Sequence, residues 1–163
     1  MRRHNTSIKG FTLRETTEED LSLILGFIKE IAEYEKLSDA VIATEESLRK
    51  SVFENNRAEV LIAEMNEVPI GYVVYFYNFS TFTGTSGLYL EDIFIRSEYR
   101  GMGLGKEVFK MLGKIAREQG CKRMEWVCLN WNEPSKNFYK ALGAVPMDEW
   151  TTFRLTEEYI NKL

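Results

Sequence analysis

The sequence predicts a single mixed α/β domain, and three observations lead to that fold class. A chain of 163 residues is long enough for one domain with a sizeable core. Its 44% hydrophobic and 28% charged residues are typical of globular proteins. A helical pattern comes first, a β-rich segment takes the middle, and strand and helix patterns then alternate. The resulting order, β-α-α-β-β-β-α-β-α-β, favours a mixed sheet over repeated βαβ units.

The N-terminal part of the chain predicts one strand and two helices. Residues 11–14 have the composition of a short strand. Thr17 stands three residues before an aspartate, as in a capping box, and apolar residues then recur at helical spacing over 21–34. A second helix is expected over 45–53, after a threonine that can cap it.

The middle of the chain predicts three sequential antiparallel strands. It is rich in β-branched and aromatic residues and is interrupted by two turn-like clusters. The expected strands are 59–64, 70–79 and 87–95. After them we expect a helix over 104–119, a strand over 122–130, a helix from 133 to about 142, strands near 144–146 and 151–155, and a brief last helix.

Charge and composition argue against several classes of partner. A net charge of −4 disfavours nucleic acid, and no apolar run is long enough to predict a membrane span. The polar opening "MRRHNTSIKG" lacks the apolar stretch of a signal peptide, so we expect residues 1–10 to be a disordered extension and 11–163 to be the domain. Cys121 and Cys128 have no CxxC spacing, which fits a reducing compartment, and the predicted location is the cytoplasm.

The single histidine, His4, lies in the expected extension. This position argues against a histidine-based triad and against a histidine-rich metal site, and we expect no metal. Any general base must then be a carboxylate or water.

The stretch "YRGMGLGK" predicts a phosphate-binding loop. Arg100 is followed by glycines at 101, 103 and 105, just where the helical pattern begins. Such glycines permit positive φ, and a helix N-terminus presents unpaired N–H groups to an anion. The spacing does not match a Walker A loop or a Rossmann fingerprint, which leaves R-x-x-G-x-G. A plain glycine-rich turn before a surface helix is the alternative.

Three segments carry a resemblance to a known family. "YRGMGLGKEVF" resembles the acetyl-CoA pyrophosphate loop of the GNAT superfamily of N-acetyltransferases. "LYLEDIFIRSEYRG" and "LNWNEPSKNFYKALGA" resemble the spermidine/spermine and thialysine acetyltransferase branch of that superfamily. The resemblance implies a mostly antiparallel central sheet with helices on both faces. It also implies transfer of an acetyl group from acetyl-CoA to a primary amine by direct attack in a ternary complex.

The resemblance assigns two catalytic residues. Glu91 aligns with the carboxylate that acts on the amine, directly or through water, and Tyr139 aligns with the general acid that protonates the departing thiolate. A base is needed because an amine with a pKa near 10.4 is mostly protonated at neutral pH. Without the resemblance, Glu91 and Asp92 would be read as solvent-exposed carboxylates on opposite sides of a regular strand. Tyr139 would be read as a residue that packs beside Phe138.

The resemblance also implies residues that bind the donor. Backbone groups of one strand, beside a bulge, would pair with the pantetheine arm, the glycine loop would surround the pyrophosphate, and the WNEPS segment would contact the cofactor farther along. The implied cofactor-binding residues are Ile93, Phe94, Ile95, Arg100, Gly101, Met102, Gly103, Leu104, Gly105, Lys106, Asn132, Glu133, Pro134, Ser135 and Tyr139.

An acidic surface is expected to bind the acceptor. Residues 15–46 carry ten acidic residues against two lysines, although a solvated helix face explains much of this excess. The family places substrate contacts at the end of the first helix. The expected substrate-binding residues are Tyr34, Glu35, Glu91, Asp92, Glu125 and Trp126. Together they predict a slot for a polyamine, a diamine or a lysine-like amino acid such as thialysine.

Two alternatives stay open at this point. The chain could sense acyl-CoA without catalysis, which would require neither Glu91 nor Tyr139. It could also acetylate a protein or peptide amine or an aminoglycoside. Relatives of this kind are commonly homodimers, so a homodimer with C-terminal strands and helices at its interface is expected.

Overall fold

The computed structural model describes residues 2–163. The chain forms two compact units, one that ends at Val127 and one that runs from Cys128 to Leu163. The first contains a six-stranded sheet whose spatial order follows the chain, and the second contains two helices. The sheet is antiparallel except for its last pair of strands, which is parallel. The predicted mixed, mostly antiparallel α/β fold is confirmed.

The strands lie close to the predicted positions, with one strand added at the N-terminus. They are β1 (Arg3–Asn5), β2 (Phe11–Glu15), β3 (Glu59–Met65), β4 (Val68–Ser80), β5 (Thr85–Ile95) and β6 (Met124–Glu125). β4 and β5 are the longest strands and pair with each other over ten residues. Gly71 is required there, because a Cβ at this position would lie 2.0 Å from the carbonyl oxygen of Phe94.

The helices follow the predicted order. They are α1 (Leu21–Tyr34), α2 (Glu45–Leu48), α3 (Leu104–Glu118), α4 (Glu133–Ala141) and α5 (Glu157–Ile160). The Thr17–Asp20 capping box is present before α1, and the Thr44 side chain accepts from the Ser47 N–H at α2. A π-helical segment, Arg49–Glu54, continues α2. No helix within residues 2–163 has the length and apolar character needed to cross a bilayer.

Helices cover both faces of the sheet in the first unit. On one face α1 and α2 pack over a cluster that includes Phe27, Tyr72 and Phe94. On the other face α3 packs over a larger cluster that includes Val73 and Leu88. Because side chains alternate along a strand, neighbouring residues of β4 enter different clusters.

The N-terminal residues differ from the expected disordered extension. Met1 lies outside the described residues, but β1 pairs with β2 along its length. Arg3 Nε donates to Glu64 Oε2 at 3.2 Å, and the Ser7 N–H donates to Glu107 Oε2 at 2.9 Å. The residues that order this segment lie far along the chain. The local polar composition, on which the prediction of disorder depended, contains no sign of them.

The C-terminal strands also differ from the prediction. The expected strand over 122–130 is reduced to β6, and residues 144–155 form neither helix nor strand. Their alternating apolar pattern resembles a strand, but a strand requires a partner backbone to complete its hydrogen bonds. In the structure several of these side chains, including Trp150 and Phe153, are exposed.

Candidate active site

Strand β5 has a bulge at Glu91. The register with β4 passes from the pair Val74–Asp92 to the pair Tyr75–Leu90, so Glu91 has no residue opposite it. A bulge bends a strand, re-aims its side chains and interrupts their alternation. The regular strand that would have separated Glu91 and Asp92 on opposite faces is therefore absent at this point.

Three carboxylates surround the phenol of Tyr72. Burial raises the pKa of Tyr72, and the charges of Asp92, Glu35 and Glu91 raise it further. The Tyr72 hydroxyl donates to Asp92 Oδ2 at 2.5 Å, and its ring stacks on Phe27 with centroids 5.6 Å apart. The buried tyrosine therefore anchors Asp92 on the face of the sheet that α1 covers.

Glu35 approaches the same point from the end of α1. It follows the last helical residue and is half-buried. Burial raises the pKa of Glu35, and the nearby charge of Asp92 raises it further. Burial likewise raises the pKa of Asp92, against the opposing effect of the Tyr72 hydrogen bond. The structure thus brings together two predicted substrate residues that lie 57 positions apart, and it leaves both partly desolvated.

Glu125 lies on the same face, beside Tyr89. β6 pairs with β5 through Leu88–Met124 and Tyr89–Glu125. Burial raises the pKa of Tyr89, and the charges of Glu91 and Glu125 raise it further. We call the whole group the acidic strip. It comprises Glu35, Glu91, Asp92, Glu125, Tyr72 and Tyr89.

Sequence reasoning missed the two tyrosines of the acidic strip. Their signal is the alternation of β4 and β5, since Tyr72 and Phe76 share a face of β4 and Phe76 pairs with Tyr89. The rings of Phe76 and Tyr89 lie 4.9 Å apart. Aromatic residues in strands are usually assigned to packing in the core. These two tyrosines also lie near the carboxylates of the acidic strip.

Trp126 lies away from the acidic strip. Its ring packs edge-on against Phe109 of α3, with centroids 5.1 Å apart, in the cluster on the other face of the sheet. Glu125 and Trp126 are neighbours in sequence, and alternation directs them to different faces. The structure therefore separates this residue from the other predicted substrate residues.

Arg100 connects the glycine loop to the end of α1. Its Nε donates to the carbonyl oxygen of Ile95 at 3.0 Å, and its guanidinium lies 4.6 Å from the centroid of the Tyr34 ring. A guanidinium over an aromatic face is an attractive arrangement. Tyr34, which precedes Glu35 of the acidic strip in the chain, therefore contacts the residue that begins the glycine loop.

The glycine loop has a backbone suited to a diphosphate. Gly101 and Gly103 have φ of 77° and 79°, and Gly103 is the residue that precedes α3. No atom lies within 4 Å of where a Cβ of Gly101 would stand, so the loop is open at that point. Leu104 is buried and anchors the helix, whereas Met102 and Lys106 are exposed. The first-turn N–H groups of a fifteen-residue helix fit an anionic group at this end.

Residues 93–95 of β5, which follow the bulge, have buried or half-buried side chains and one backbone edge that no strand within residues 2–127 pairs with. Phe94 enters the cluster under α1, whereas Ile93 and Ile95 pack on the α3 side. In the unit that ends at Val127, β5 beyond Tyr89 is paired on its β4 side alone. An extended ligand can pair with such an edge through backbone hydrogen bonds.

The second unit contains the remaining predicted residues. The Asn132 side chain accepts from the Ser135 N–H at 3.3 Å and caps α4, with Pro134 in the first turn. The cap sets the start of the helix on which Tyr139 lies almost two turns later. Tyr139 is half-buried, and its ring centroid is 5.6 Å from that of Phe138. Glu133 is exposed and pairs with Lys136 at 2.6 Å.

Comparison with known proteins agrees with this geometry. The profile of the acetyltransferase (GNAT) family matches residues 24–144. The chain is 39% identical to a thialysine N-epsilon-acetyltransferase of Sus scrofa, a match that covers 93% of this chain and 95% of the relative. It is 33% identical to the spermidine/spermine N(1)-acetyltransferase-like protein 1 of Homo sapiens, over 94% of this chain and 24% of that protein.

A solved structure shares the fold over almost the whole chain. It is an integron cassette protein from the mobile metagenome of V. cholerae, 26% identical, with a TM-score of 0.77. The match covers 95% of this chain and 98% of that protein. With a family profile over most of its length and relatives above 30% identity, this chain belongs to the acetyltransferase (GNAT) family and is an N-acetyltransferase.

Proposed function

We propose that the chain transfers an acetyl group from acetyl-CoA to a primary amine of a small cationic acceptor. The acceptor class comprises polyamines, diamines and lysine-like amino acids such as thialysine. The observation that carries the proposal is the acidic strip at the β5 bulge. The names of the related thialysine and spermidine/spermine enzymes support the same class of acceptor.

The electrostatics of the acidic strip favour a cation. Burial raises the pKa values of Asp92 and Glu35, and the charge of Asp92 raises that of Glu35 further, so the ionised pair is unfavourable without a counter-charge. A bound ammonium group supplies that charge and removes the repulsion. Tyr34 and Tyr89 add aromatic surface along which a slender cation can lie.

The transfer requires two proton movements. The acceptor ammonium loses a proton to Glu91, directly or through water, and the free nitrogen forms a bond to the acetyl carbon while the carbon–sulfur bond breaks. The departing thiolate takes a proton from the Tyr139 hydroxyl, which acts as the general acid. The products are the N-acetyl amine and a free thiol, and Tyr139 regains its proton from solvent.

The donor site is assigned to the groups that fit it. Acetyl-CoA supplies an activated acetyl thioester and a diphosphate. The N–H groups of 101–106 are assigned to the diphosphate, with Arg100 and Lys106 adding positive charge. The β5 edge at 93–95 is assigned to the pantetheine arm, and residues 132–135 to contacts farther along. The open, left-handed loop supports this assignment.

Three wider assignments belong to the same proposal. Residues 11–163 belong to one N-acetyltransferase domain, which β1 joins by pairing with β2, and the family match over 24–144 supports this assignment. The chain is cytoplasmic and has no nucleic-acid or membrane partner, in keeping with its net charge of −4. It is a homodimer, and the exposed Trp150 and Phe153 support an interface near the C-terminus. Light scattering should then give about twice the chain mass.

An acceptor screen tests the proposed activity. The chain is incubated with acetyl-CoA and spermidine, diaminopropane, thialysine, lysine, an aminoglycoside or a peptide, and free thiol and product mass are measured. We expect thiol release with small cationic amines. Saturable CoA binding without thiol release from any amine would favour an acyl-CoA sensor, and a preference for the peptide or aminoglycoside would change the acceptor class.

Substitution of Tyr139 tests the assigned acid. Tyr139→Phe removes the hydroxyl and keeps the ring, so kcat should fall while the dissociation constant for CoA stays close to that of the wild type. The variant Phe138→Tyr, on the adjacent position of α4, controls for a change of packing. Unchanged turnover in Tyr139→Phe would remove this residue from the mechanism.

A further inference from the structure

Three polar side chains lie at the far end of the acidic strip, where β6 meets β5. Asn78 Nδ2 donates to Glu125 Oε2 at 3.1 Å, and Arg123 Nε lies 3.0 Å from the same carboxylate oxygen. All three are on the face that carries Tyr89. None of the sequence motifs pointed to Asn78 or Arg123.

Asn78 is oriented so that its amide N–H donates to Glu125. Its Oδ1 is buried and has no hydrogen-bond partner among residues 2–163. Such an atom carries a free-energy penalty. Gly87 lies across the ladder, and a Cβ there would be 2.4 Å from that oxygen and 3.3 Å from Cγ of Arg123. The missing side chain at position 87 therefore leaves room for Asn78 and Arg123 to meet Glu125.

The distance along the strip matches a short diamino chain. Glu125 pairs with Tyr89, and two residues of extended backbone, about 7 Å, lead from Tyr89 to Glu91. Three single bonds of an extended chain span about 3.8 Å, so five or six bonds cover that distance. The terminal and α-nitrogens of ornithine and lysine are separated by about this number of bonds.

We propose that Glu125 and Arg123 recognise the α-amino-acid end of the acceptor, so that the preferred substrates are basic amino acids with a terminal amine. Glu125 accepts from the α-ammonium, and the guanidinium of Arg123 pairs with the α-carboxylate through its Nη atoms. A polyamine places another ammonium beside Arg123, and the like charges oppose its binding. This inference rests on the proposed function and selects one substrate class within it.

Matched pairs of acceptors test the inference without any substitution. L-Lysine and cadaverine, or L-ornithine and putrescine, differ only by the α-carboxylate. We expect kcat/KM to be at least about tenfold higher for the amino acid, which is the size of one charge-assisted hydrogen bond. L-Lysine methyl ester keeps the α-ammonium, lacks the anion and should behave like cadaverine. Cadaverine turnover equal to or above that of L-lysine would overturn the inference and leave the proposed function intact.

Substitution at the far end then assigns the residues. Arg123→Gln should reduce the L-lysine to cadaverine ratio to near one, because it removes the charge that distinguishes the two acceptors. Lys122→Gln removes the same charge one residue away and should preserve the ratio. Glu125→Gln should lower kcat/KM for both acceptors. A ratio unaffected by Arg123→Gln in a variant that melts like the wild type would overturn the role of Arg123.

Calorimetry separates this inference from the activity itself. L-Lysine and cadaverine are titrated into the CoA-bound chain, and the amino acid should bind about tenfold more tightly. A chain that showed this preference but acetylated neither compound would retain the inferred recognition and lose the proposed activity. Equal binding of the two compounds would overturn the recognition.

Discussion

The buried phenol of Tyr72 has a raised pKa, to which the charges of Asp92, Glu35 and Glu91 all contribute. The carboxylates of Glu35 and Asp92 are stabilised by water when the chain is unfolded and partly lose that water in the fold, whereas Glu91 stays exposed. The raised pKa values of Glu35 and Asp92 record this loss. At the residue scale, the site therefore weakens the fold at neutral pH in order to present charge to a ligand.

Asp92→Asn should raise thermal stability at neutral pH. The folded pKa of Asp92 lies above its ordinary value of 3.8, so its contribution to stability is fully present below that value and is lost as pH rises through the folded pKa. Asparagine keeps an oxygen for the Tyr72 hydroxyl and carries no charge. Each kcal/mol gained raises Tm by about 2–4 °C in a chain of this size.

The measurement is a melting curve at pH 7.5 and at pH 4. The variant should melt above the wild type at pH 7.5, and the difference should shrink at pH 4. Asp39→Asn, at an exposed position, should change Tm little at either pH. A variant less stable than the wild type at pH 7.5 would show that the charged form of Asp92 stabilises the fold.

Glu91→Gln should lower kcat/KM by about a hundredfold at neutral pH, the lower end of what general-base removal costs. Glutamine keeps the shape of the side chain but cannot accept the amine proton. Raising the pH supplies more free amine, so the rate of the variant should climb about tenfold per pH unit below the amine pKa. Glu118→Gln, on the exposed end of α3, serves as the control and should behave like the wild type.

At the scale of elements, the site depends on how β5 ends and α3 begins. The bulge at Glu91 changes the direction of the carboxylate side chains. The glycine loop begins about ten residues later, after the end of β5 and a short 3-10 turn at Ser97–Tyr99. Arg100 then returns to stack on Tyr34 at the end of α1. One continuous segment, 91–106, therefore carries both Glu91 and Asp92 of the acidic strip and the glycine loop.

Gly103→Ala should weaken CoA binding. Gly103 has φ of 79°, and an L-residue in that region costs about 1–2 kcal/mol, so the loop will shift to relieve the strain. Gly113→Ala provides a matched control, since Gly113 lies inside α3 and its Cβ would be 3.6 Å from Arg117 Nη1, an ordinary contact. That variant should gain up to about 1 kcal/mol of helix propensity and bind CoA as before. Equal CoA dissociation constants for both variants would exclude the loop as the diphosphate site.

At the scale of the whole molecule, the N-terminal segment contacts α3 and lies close to the glycine loop. The Lys110 ammonium and the Ser7 N–H hold the pKa of Glu107 at about 2, below its ordinary 4.5. Ile8 Cδ1 lies 3.8 Å from where a Cβ of Gly103 would stand. A buried carboxylate of α3 therefore secures the chain terminus and the base of the loop together.

Glu107→Gln should lower the free energy of unfolding at pH 7. Because the folded pKa is depressed, the stability contributed by Glu107 is present above pH 4.5 and is lost as pH falls toward 2. Urea unfolding at pH 7, 4 and 3 should therefore show a difference from the wild type that shrinks with acidity. A difference of constant size over this range would point to lost packing rather than lost charge.

The prediction from sequence succeeded where the deciding residues are adjacent in the chain. The Thr17 cap, α3 after Gly103 and the three central strands were all predicted close to their observed positions. It failed at β1, whose partners lie far along the chain, and at 144–155, where a strand-like pattern has no partner. The Glu91 bulge was also beyond a local pattern, because it depends on the relative lengths and packing of two strands.

By itself, the sequence determined the family, the order of the elements, the glycine loop and the identity of the carboxylates, because contiguous residues and their spacing carry each of these. Only the tertiary structure decided which face each carboxylate takes, that Tyr72 and Tyr89 join them, and that Trp126 does not. The physical reason is that a single extra residue in β5 changes the direction of side chains, and that pKa values depend on burial and on charges brought from distant elements.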